Sequence, residues 1–477
     1  MSSESDQKFS WDLEQYSTKA RQDKRREAID ARRAEGLSVE EEHLTEVDDG
    51  DWLAPAETKT RARYVEAGSV FWSAFAGGLL TILTLGFYRF WLKTNLRRIY
   101  VGSIRVDGDP IEYTGTGLEK FIGFLIAISF LAIYLAITNV GLLFIGITQL
   151  EEGALFTPFS LIAVMPFIFY AQYRSQRYML SRLRWRGIRF GLGGSAWGFT
   201  GRSLLWGILT VLSAGILFPL MHFRQARYLT NRTYFGSLKC EQGGSWLGLL
   251  SLWIWVYISF GLLFLFGWGM VEEMRLQEEG VAVLISVLMP FAFLLTLIMF
   301  FNYQVGAFRY LWDNRSIGIT RIENDVSTGK LIMTYIKGYL VVAIVGSLIG
   351  IIGAVVLLGA GFLLTSTMLG ELGLTMDDLE AQFTAMASGQ SDPSPALIAA
   401  VLPLVVGAVG AYLFLFVVSY AFTQSMIIQP ILRQKVEAML IRRPEALQRA
   451  GQRQGDQAAE AGGFADALGV DMGAGFG

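Results

Sequence analysis

The chain has 477 residues, of which 52% are hydrophobic and only 17% are charged, and its formal net charge is −2. Soluble domains carry about 25% charged residues, so this composition argues against an ordinary soluble domain. Because Cys240 is the only cysteine, a disulfide within the chain and cysteine-rich zinc or iron–sulfur sites are excluded.

Eight long uncharged runs account for the low charge. Each exceeds the roughly 18–20 residues that a helix needs to cross the core of a bilayer. The alternative is a large soluble core, but eight such runs would saturate any soluble fold. The sequence therefore predicts an all-α polytopic membrane protein. The runs are 67–88, 121–150, 153–173, 203–223, 242–271, 280–308, 338–370 and 393–432.

Two charged tails flank the apolar part of the chain. Residues 1–66 begin without an apolar signal segment, and we expect them to form a charged cytoplasmic tail. Residues 433–477 become rich in Gln, Ala and Gly, and we expect a mobile cytoplasmic tail there. The remaining chain divides into a first membrane repeat (67–200), a second membrane repeat (201–329) and a C-terminal helical hairpin (330–432).

The charges between the runs predict the topology. Lys and Arg follow the first, third, fourth, sixth and last runs, whereas the other three connections are acidic. Because Lys and Arg concentrate on the cytoplasmic side, both termini are expected inside. Runs 67–88 and 203–223 have basic sequence on both sides. This favours six full spans and two re-entrant segments, and eight simple spans are the alternative.

The two atypical runs share a pattern. LTILTLGF at 80–87 aligns with LTVLSAGI at 209–216, and YVGSIR at 100–105 aligns with YFGSLK at 234–239. The common unit is an apolar helix, a basic Arg/Tyr turn and a short alternating segment around a glycine. We expect the chain to bend at Gly86 and Gly215.

Short β-hairpins are expected after the basic turns. Asp107-Gly108-Asp109-Pro110 is a turn signal between β-prone residues, and 185–199 and 317–336 have a similar shape. Four such hairpins on one face predict a small cytoplasmic sheet under the helices.

These residues resemble the YjgN family of bacterial inner-membrane proteins, which is described only as a domain of unknown function. The resemblance covers roughly residues 65–435. It implies a multipass inner-membrane protein of a bacterium, and it supplies no reaction, substrate or binding residues. The residues that carry it are LLTILTLGFYRFW at 79–91, GSIRVDGDPIEYTGTG at 102–117, RYMLSRLRWRGIRF at 177–190 and the repeat at 209–240.

No catalytic, cofactor or metal site is indicated. The two histidines, His43 and His222, have no metal-ligand partner at helical spacing. The chain lacks the GxxxxGK[ST] loop of ATP-driven pumps. Intramembrane ionisable residues usually mark proton relays, and the uncharged runs contain no Asp, Glu, Lys or Arg. We therefore expect a protein that is not an enzyme and needs no cofactor.

The basic turns are the candidate functional residues. Their arginines either set the topology alone or also bind anionic lipid headgroups, which cytoplasmic Lys and Arg beside spans attract. Nucleic acid is not an expected partner, because the charges lie within a turn or two of the apolar runs. The candidate lipid contacts are Arg97, Arg98, Arg177, Arg182, Arg184, Arg186, Arg227, Arg232, Arg309 and Arg315.

Two functions remain open at this point. The first is a non-enzymatic scaffold or envelope factor of the inner membrane with a basic, lipid-facing cytoplasmic side. The alternative is a channel or transporter for a small solute. Small residues at Gly346, Gly350 and Gly353 indicate close helix packing, within one chain or in a homo-oligomer.

Overall fold

The structure is a computed structural model, and it describes residues 58–144, 156–276, 279–373, 375–388 and 395–453. Most of both predicted tails, 1–57 and 454–477, therefore lies outside the described residues.

The described part of the chain is mostly helical. A π-helical turn at Val342–Gly346 joins the helices Thr328–Val341 and Ser347–Leu372. Another at Gln424–Ile428 joins the helices Pro395–Thr423 and Gln429–Glu437, so that each pair continues as one long helix. The helices are α1 (Val70–Leu83), α2 (Arg89–Gly102), α3 (Gly117–Phe144), α4 (Phe156–Arg182), α5 (Ala196–Leu212), α6 (Phe218–Thr230), α7 (Trp246–Leu276), α8 (Glu279–Asp313), α9 (Thr328–Val341), α10 (Ser347–Leu372), α11 (Met376–Ala387), α12 (Pro395–Thr423) and α13 (Gln429–Glu437).

Within the described ranges, 5 helices are long and apolar enough to cross a membrane. Between 6% and 17% of each apolar window is buried inside the protein, so most of these surfaces face outward. The five are Gly117–Thr138, Trp246–Glu272, Val283–Asp313, Thr328–Glu371 and Val401–Glu437.

Four hairpins of equal proportions follow α2, α4, α6 and α8. Each has a strand of 3 residues, a two-residue turn and a strand of 5 residues. Asp107 and Gly108 both have positive φ, as do Arg186 and Gly187, which is the geometry of tight hairpin turns that fit twisted strands. The strands are β1 (Lys59–Arg61), β2 (Arg63–Tyr64), β3 (Ile104–Val106), β4 (Asp109–Tyr113), β5 (Leu183–Trp185), β6 (Ile188–Leu192), β7 (Thr233–Phe235), β8 (Leu238–Gln242), β9 (Arg315–Ile317), β10 (Thr320–Asn324) and β11 (Met439–Arg442).

The hairpins form one antiparallel sheet that closes on itself. The strand order is β1-β11-β10-β9-β8-β7-β6-β5-β4-β3-β2. β1 pairs with β11 (Lys59 opposite Arg442), and β2 pairs with β3 (Arg63 opposite Arg105). Only Ala62 separates β1 from β2, so one segment supplies both ends of the order. The sheet is therefore a closed barrel, which leaves no unpaired edge.

Side chains fill this barrel. Trp185, Phe235 and Ile441 from the strands form one buried cluster with Leu447 and Ala450. Leu447 belongs to a short 3₁₀ helix, Pro444–Arg449, which follows β11. In a second cluster, strand residues pack against Leu432 and Val436 of α13, and the members are Ala62, Tyr64, Ile104, Leu432, Val436 and Met439. The barrel is thus a packed core rather than a pore.

The all-α expectation needs correction, because the hairpins form a barrel that includes strands from both predicted tails. Residues 59–64, within the tail assigned to 1–66, form β1 and β2, and residues 439–442, within the tail assigned to 433–477, form β11. The physical reason is alternation, since Ala62, Tyr64, Met439 and Ile441 are buried while their neighbours along the strands are more exposed.

The runs 67–88 and 203–223 each contain a reversal of the chain. Leu85 and Gly86 have φ values of 51° and 92°, and Ala214 and Gly215 have 52° and 91°. Two successive left-handed residues end a helix, and the next helix starts back in the opposite direction. α1 has 14 residues and α5 has 17, which corresponds to about 21–26 Å and is shorter than the roughly 30 Å of a bilayer core.

Glycines allow the close packing of α10 and α12. A Cβ at Gly361 would lie 2.8 Å from the Pro403 carbonyl oxygen, and a Cβ at Gly407 would lie 2.8 Å from that of Leu357. α1 packs against α12 in the same way, because a Cβ at Gly78 would lie 2.9 Å from Val417 Cγ1. The small residues thus serve contacts within the chain.

Candidate functional site: a basic collar between helices and barrel

Arginines gather where α2, α4, α6 and α8 end and the barrel begins. We call these residues the collar. Their positions follow from the order of elements, since each basic helix end leads directly into a hairpin. The collar consists of Arg97, Arg98, Arg177, Arg182, Arg227, Arg232, Arg309 and Arg315.

Three tyrosines connect the collar to the segments that follow the hairpins. The Tyr228 hydroxyl donates to the Ser195 carbonyl oxygen (3.0 Å), and the Tyr310 hydroxyl donates to that of Ser245 (3.0 Å). The Tyr178 hydroxyl donates to Glu119 Oε2 (2.9 Å). Each tyrosine therefore joins one basic helix to the start of the helix that follows the preceding hairpin.

Four collar arginines stack on aromatic rings. The guanidinium carbon lies 3.7 Å from the ring centroid for Arg232 on Tyr228, and 4.4 Å for Arg315 on Trp312. The distance is 5.6 Å for Arg182 on Tyr178 and 5.7 Å for Arg97 on Tyr113. Such contacts contribute about 0.5–2 kcal/mol each. Burial lowers the pKa of Arg315 to about 10, so this guanidinium stays charged at neutral pH.

Some predicted arginines have carboxylate partners. Arg182 pairs with Glu119 at 3.1 Å, and Arg309 pairs with Asp313 at 3.7 Å. Arg186 is outside the collar, in the turn of the second hairpin, where it pairs with Asp107 and Asp109 of the first. All these contacts are partly exposed. Those of Arg182 and Arg186 link neighbouring elements, whereas that of Arg309 lies within α8.

Arg184 is also outside the collar. It lies on the barrel wall in register with Arg189 on one side and Glu112 on the other. The structure therefore brings eight of the ten predicted arginines to the helix–barrel junction and places Arg184 and Arg186 on the second hairpin.

Three further collar arginines have no carboxylate partner in the described part of the chain. Among the described residues, Arg177, Arg227 and Arg232 have no carboxylate oxygen within 4.0 Å. Arg98 donates to the Gly115 carbonyl oxygen at 3.5 Å. Positive charge is thus left at the junction, where helices that could cross a membrane begin and end.

Sequence reasoning missed Arg202, which lies at the start of α5. Its guanidinium carbon is 5.4 Å from the Tyr228 ring centroid. In the sequence Arg202 reads as an ordinary charge before an apolar run, because only the reversal at Ala214–Gly215 brings α6 back beside it. Arg224, stacked on Trp206 at 5.4 Å, was missed for the same reason.

A hydrogen bond from α7 holds the chain reversal at Ala214–Gly215. Trp253 Nε1 in α7 donates to the Gly215 carbonyl oxygen at 3.0 Å. The tips of both reversals are apolar and exposed, with Leu85 91% exposed and Leu212 78% exposed. Within the described residues there is no group of three or more His, Cys, Asp or Glu side chains arranged to hold a metal ion.

Comparison with known proteins gives a family. The family model described as "Bacterial protein of unknown function (DUF898)" matches residues 66–346. No curated protein and no solved structure matches the chain. The match spans more than half of the chain, including all four hairpins and both reversals, and the chain therefore belongs to the YjgN-like DUF898 family of bacterial proteins of unknown function.

Proposed function

We propose that this protein is a non-enzymatic scaffold of the bacterial inner membrane, with its barrel on the cytoplasmic surface and its collar in contact with anionic lipid headgroups. The observation that carries the proposal is the collar itself, a set of eight arginines, four of them stacked on aromatic rings, at the junction of a packed barrel with apolar helices.

The closed barrel supports a topology with every hairpin on one side. Because β1, β2 and β11 share a sheet with all four hairpins, both ends of the described chain lie on that side as well. Lys and Arg concentrate on the cytoplasmic side of membrane proteins, so the barrel is assigned to the cytoplasm.

The same arrangement supports six spans and two re-entrant pairs. Five of the six are the helices found above to be long and apolar enough to cross a membrane, and α4, which begins after residues outside the described ranges, is proposed as the sixth. α3 and α4, α7 and α8, and the long helices α9–α10 and α12–α13 leave the barrel and return to it. The pairs α1–α2 and α5–α6 also leave the barrel and return to it, but α1 has only 14 residues and α5 only 17 before the chain reverses. Their exposed apolar tips then enter the bilayer without crossing it.

The collar would lie at the level of the cytoplasmic headgroups. Juxtamembrane Lys and Arg attract anionic lipids by about 1 kcal/mol each. Tyr and Trp, which stack on the collar arginines here, are enriched at the same depth. The packed barrel argues against a solute pathway through its interior, because Trp185, Phe235 and Leu447 fill that interior.

Lipid retention tests the proposal. The full-length protein is purified from bacterial membranes in a mild neutral detergent, and the retained phospholipids are quantified by mass spectrometry against the bulk membrane. We expect anionic phospholipid to be enriched. Replacing Arg98, Arg177 and Arg227 together by Gln should lower this enrichment at least about fivefold, because the loss of even one attraction of about 1 kcal/mol gives that factor.

A matched control removes the same charge from the barrel wall. Arg63, Arg105 and Arg321 are exposed on strands of the barrel, and their combined replacement by Gln should leave the enrichment unchanged. Equal retention of anionic and zwitterionic lipid by the unmodified protein would contradict the proposal.

A further inference from the structure

We propose that Arg202 and Arg232, which flank Tyr228, bind the phosphate group of one anionic phospholipid. This inference rests on the proposed function and deepens it, since it assigns a single headgroup to one place in the basic junction. The site lies where the end of α6 meets the start of α5 and the loop that precedes α5.

Two guanidinium groups share one aromatic ring at this site. The guanidinium carbons of Arg232 and Arg202 lie 3.7 and 5.4 Å from the Tyr228 ring centroid. Arg202 Nη1 donates to the Gly198 carbonyl oxygen at 2.9 Å, which holds its side chain in place. An arginine has five N–H donors in a planar fork that matches phosphate oxygens. Most of these donors remain for an outside acceptor.

Two more cations strengthen the positive field. Arg174 and Arg177 interact electrostatically with the hydroxyl of Tyr173, whose ring lies 6.4 Å from that of Tyr228. In the part of the chain that the structure describes, none of Arg174, Arg177, Arg202 and Arg232 lies within 4.0 Å of a carboxylate oxygen. An anion bound here would relieve their mutual repulsion.

Gly194, in the loop before α5, and Gly198, in the first turn of α5, leave room for the two arginine side chains. A Cβ at Gly194 would lie 2.6 Å from Arg232 Cδ, and a Cβ at Gly198 would lie 3.3 Å from Arg202 Nη1. A larger residue at either position would therefore push an arginine away from its place on Tyr228.

The two equivalent tyrosines lack this arrangement. Tyr178 donates to Glu119, which also pairs with Arg182 and compensates its charge. Near Tyr310, the residue that corresponds to Arg232 is Asn314, and its side-chain amide donates to the Tyr310 carbonyl oxygen. Of the three tyrosine contacts, the one at Tyr228 therefore combines two guanidinium groups with no described carboxylate.

The apolar surroundings favour a lipid over a free phosphate ion. Trp197, in the first turn of α5, is 69% exposed, and Leu205 and Ile208 further along α5 are 54% and 57% exposed. These residues recur at helical spacing, so they offer an acyl chain one apolar face that begins beside Arg202.

Calorimetric titration of the purified full-length protein tests the site. The probes are short-chain phosphatidylglycerol, short-chain phosphatidylcholine and inorganic phosphate, in a neutral detergent. We expect saturable binding of phosphatidylglycerol at a single site. The double variant Arg202→Gln, Arg232→Gln should weaken it at least about tenfold, because two charge-assisted hydrogen-bonding groups are lost.

Controls separate binding from folding and from charge. The variant Arg105→Gln, Arg321→Gln removes two exposed arginines of the barrel wall and should keep the affinity of the unmodified protein. The variant Arg202→Lys, Arg232→Lys keeps the charge without the planar fork and should show an intermediate affinity. Unchanged elution volume and unfolding temperature establish that each variant is folded.

Three results would overturn the inference. If Arg202→Gln, Arg232→Gln binds phosphatidylglycerol as tightly as the unmodified protein, these two arginines do not form the site. The proposed function would still stand if the purified protein remained enriched in anionic lipid. An equal loss in the barrel-wall variant shows general charge attraction instead of a site. Binding of inorganic phosphate as tight as that of phosphatidylglycerol removes the assignment to a lipid.

Discussion

The backbone amide of Gly193 donates a hydrogen bond of 2.9 Å to the carbonyl oxygen of Arg232. This bond joins the loop after the second hairpin to the residue that precedes the third. The same bond occurs at every junction around the barrel, from Val65 to Ser103 (2.8 Å), from Thr114 to Arg182 (2.9 Å), from Gly243 to Asn314 (2.8 Å) and from Asp325 to Ala438 (3.0 Å).

Five such bonds imply five equivalent units around the ring. Four units are the continuous hairpins, and the fifth is divided between the two ends of the described chain. β11 takes the place of its first strand, and the segment that contains β1 and β2 takes the place of its second. The barrel therefore closes only when residues 59–64 meet residues 439–442.

Closure of the barrel should depend on the backbone amide of Ala62. Its amide donates to the Met439 carbonyl oxygen at 3.1 Å, and Ala62→Pro removes this donor inside the sheet. We expect a loss of about 1–3 kcal/mol in the free energy of unfolding, because a buried acceptor is left without its partner. Ala62→Gly keeps the amide and should cost no more than about 1 kcal/mol. Thermal unfolding in detergent measures both, and an equal effect of the two variants would count against closure through this bond.

The reversals should resist substitution for conformational reasons alone. Gly215 has a φ of 91°, and a Cβ there would meet nothing within 4 Å. Gly215→Ala should therefore cost about 1–2 kcal/mol from the left-handed backbone alone. Gly201 in α5 also has open space around it but no positive φ, and Gly201→Ala should be neutral or stabilising. The unfolding temperatures of the two variants test this difference. An unchanged unfolding temperature in Gly215→Ala would show that the turn can adopt another geometry.

Two neighbouring glycines of α10 should differ in the same assay. A Cβ at Gly361 would lie 2.8 Å from the Pro403 carbonyl oxygen, whereas a Cβ at Gly359 meets nothing within 4 Å. Gly361→Ala should separate α10 from α12 and cost about 1–3 kcal/mol. Gly359→Ala serves as the matched control and should not destabilise the protein. If both variants unfold at the same temperature, the close contact between these helices is absent.

Cys240 should react slowly in the folded protein. Cys240 is 4% exposed, and burial raises the pKa of the thiol to about 11. The nucleophilic thiolate is therefore scarce at pH 8, although an ordinary cysteine has a pKa of about 8.5 and reacts readily there. Labelling by a maleimide, followed by mass spectrometry, should be slow in detergent and complete after denaturation. Rapid labelling of the folded protein would contradict this burial.

Local signals made the hairpins predictable. Asp107-Gly108 between β-prone residues determines a tight turn, and the basic Arg/Tyr turns mark where each helix ends. The junction arginines were predictable for the same reason, since helix and hairpin are adjacent in the chain.

Barrel closure was not predictable, because it depends on pairing between segments at opposite ends of the chain. Lys59 lies opposite Arg442, and strands this short carry almost no periodic signal. The contact of Arg202 with Tyr228 also needs the folded chain, because it exists only after the helix reverses at Ala214–Gly215. The ion pairs of Arg186 likewise depend on two hairpins lying side by side.

Cysteine accessibility measures on which side of the membrane the hairpins lie. Single cysteines replace Arg189 before α5, Lys239 after α6 and Ser388 beyond α11, in a chain whose own Cys240 is buried. A membrane-impermeant maleimide is applied to intact cells with a permeable outer membrane and to inside-out vesicles. We predict that positions 189 and 239 label only from the cytoplasmic side and that position 388 labels only from the opposite side. Labelling of 189 and 239 from opposite sides would contradict the re-entrant pair and the one-sided barrel together.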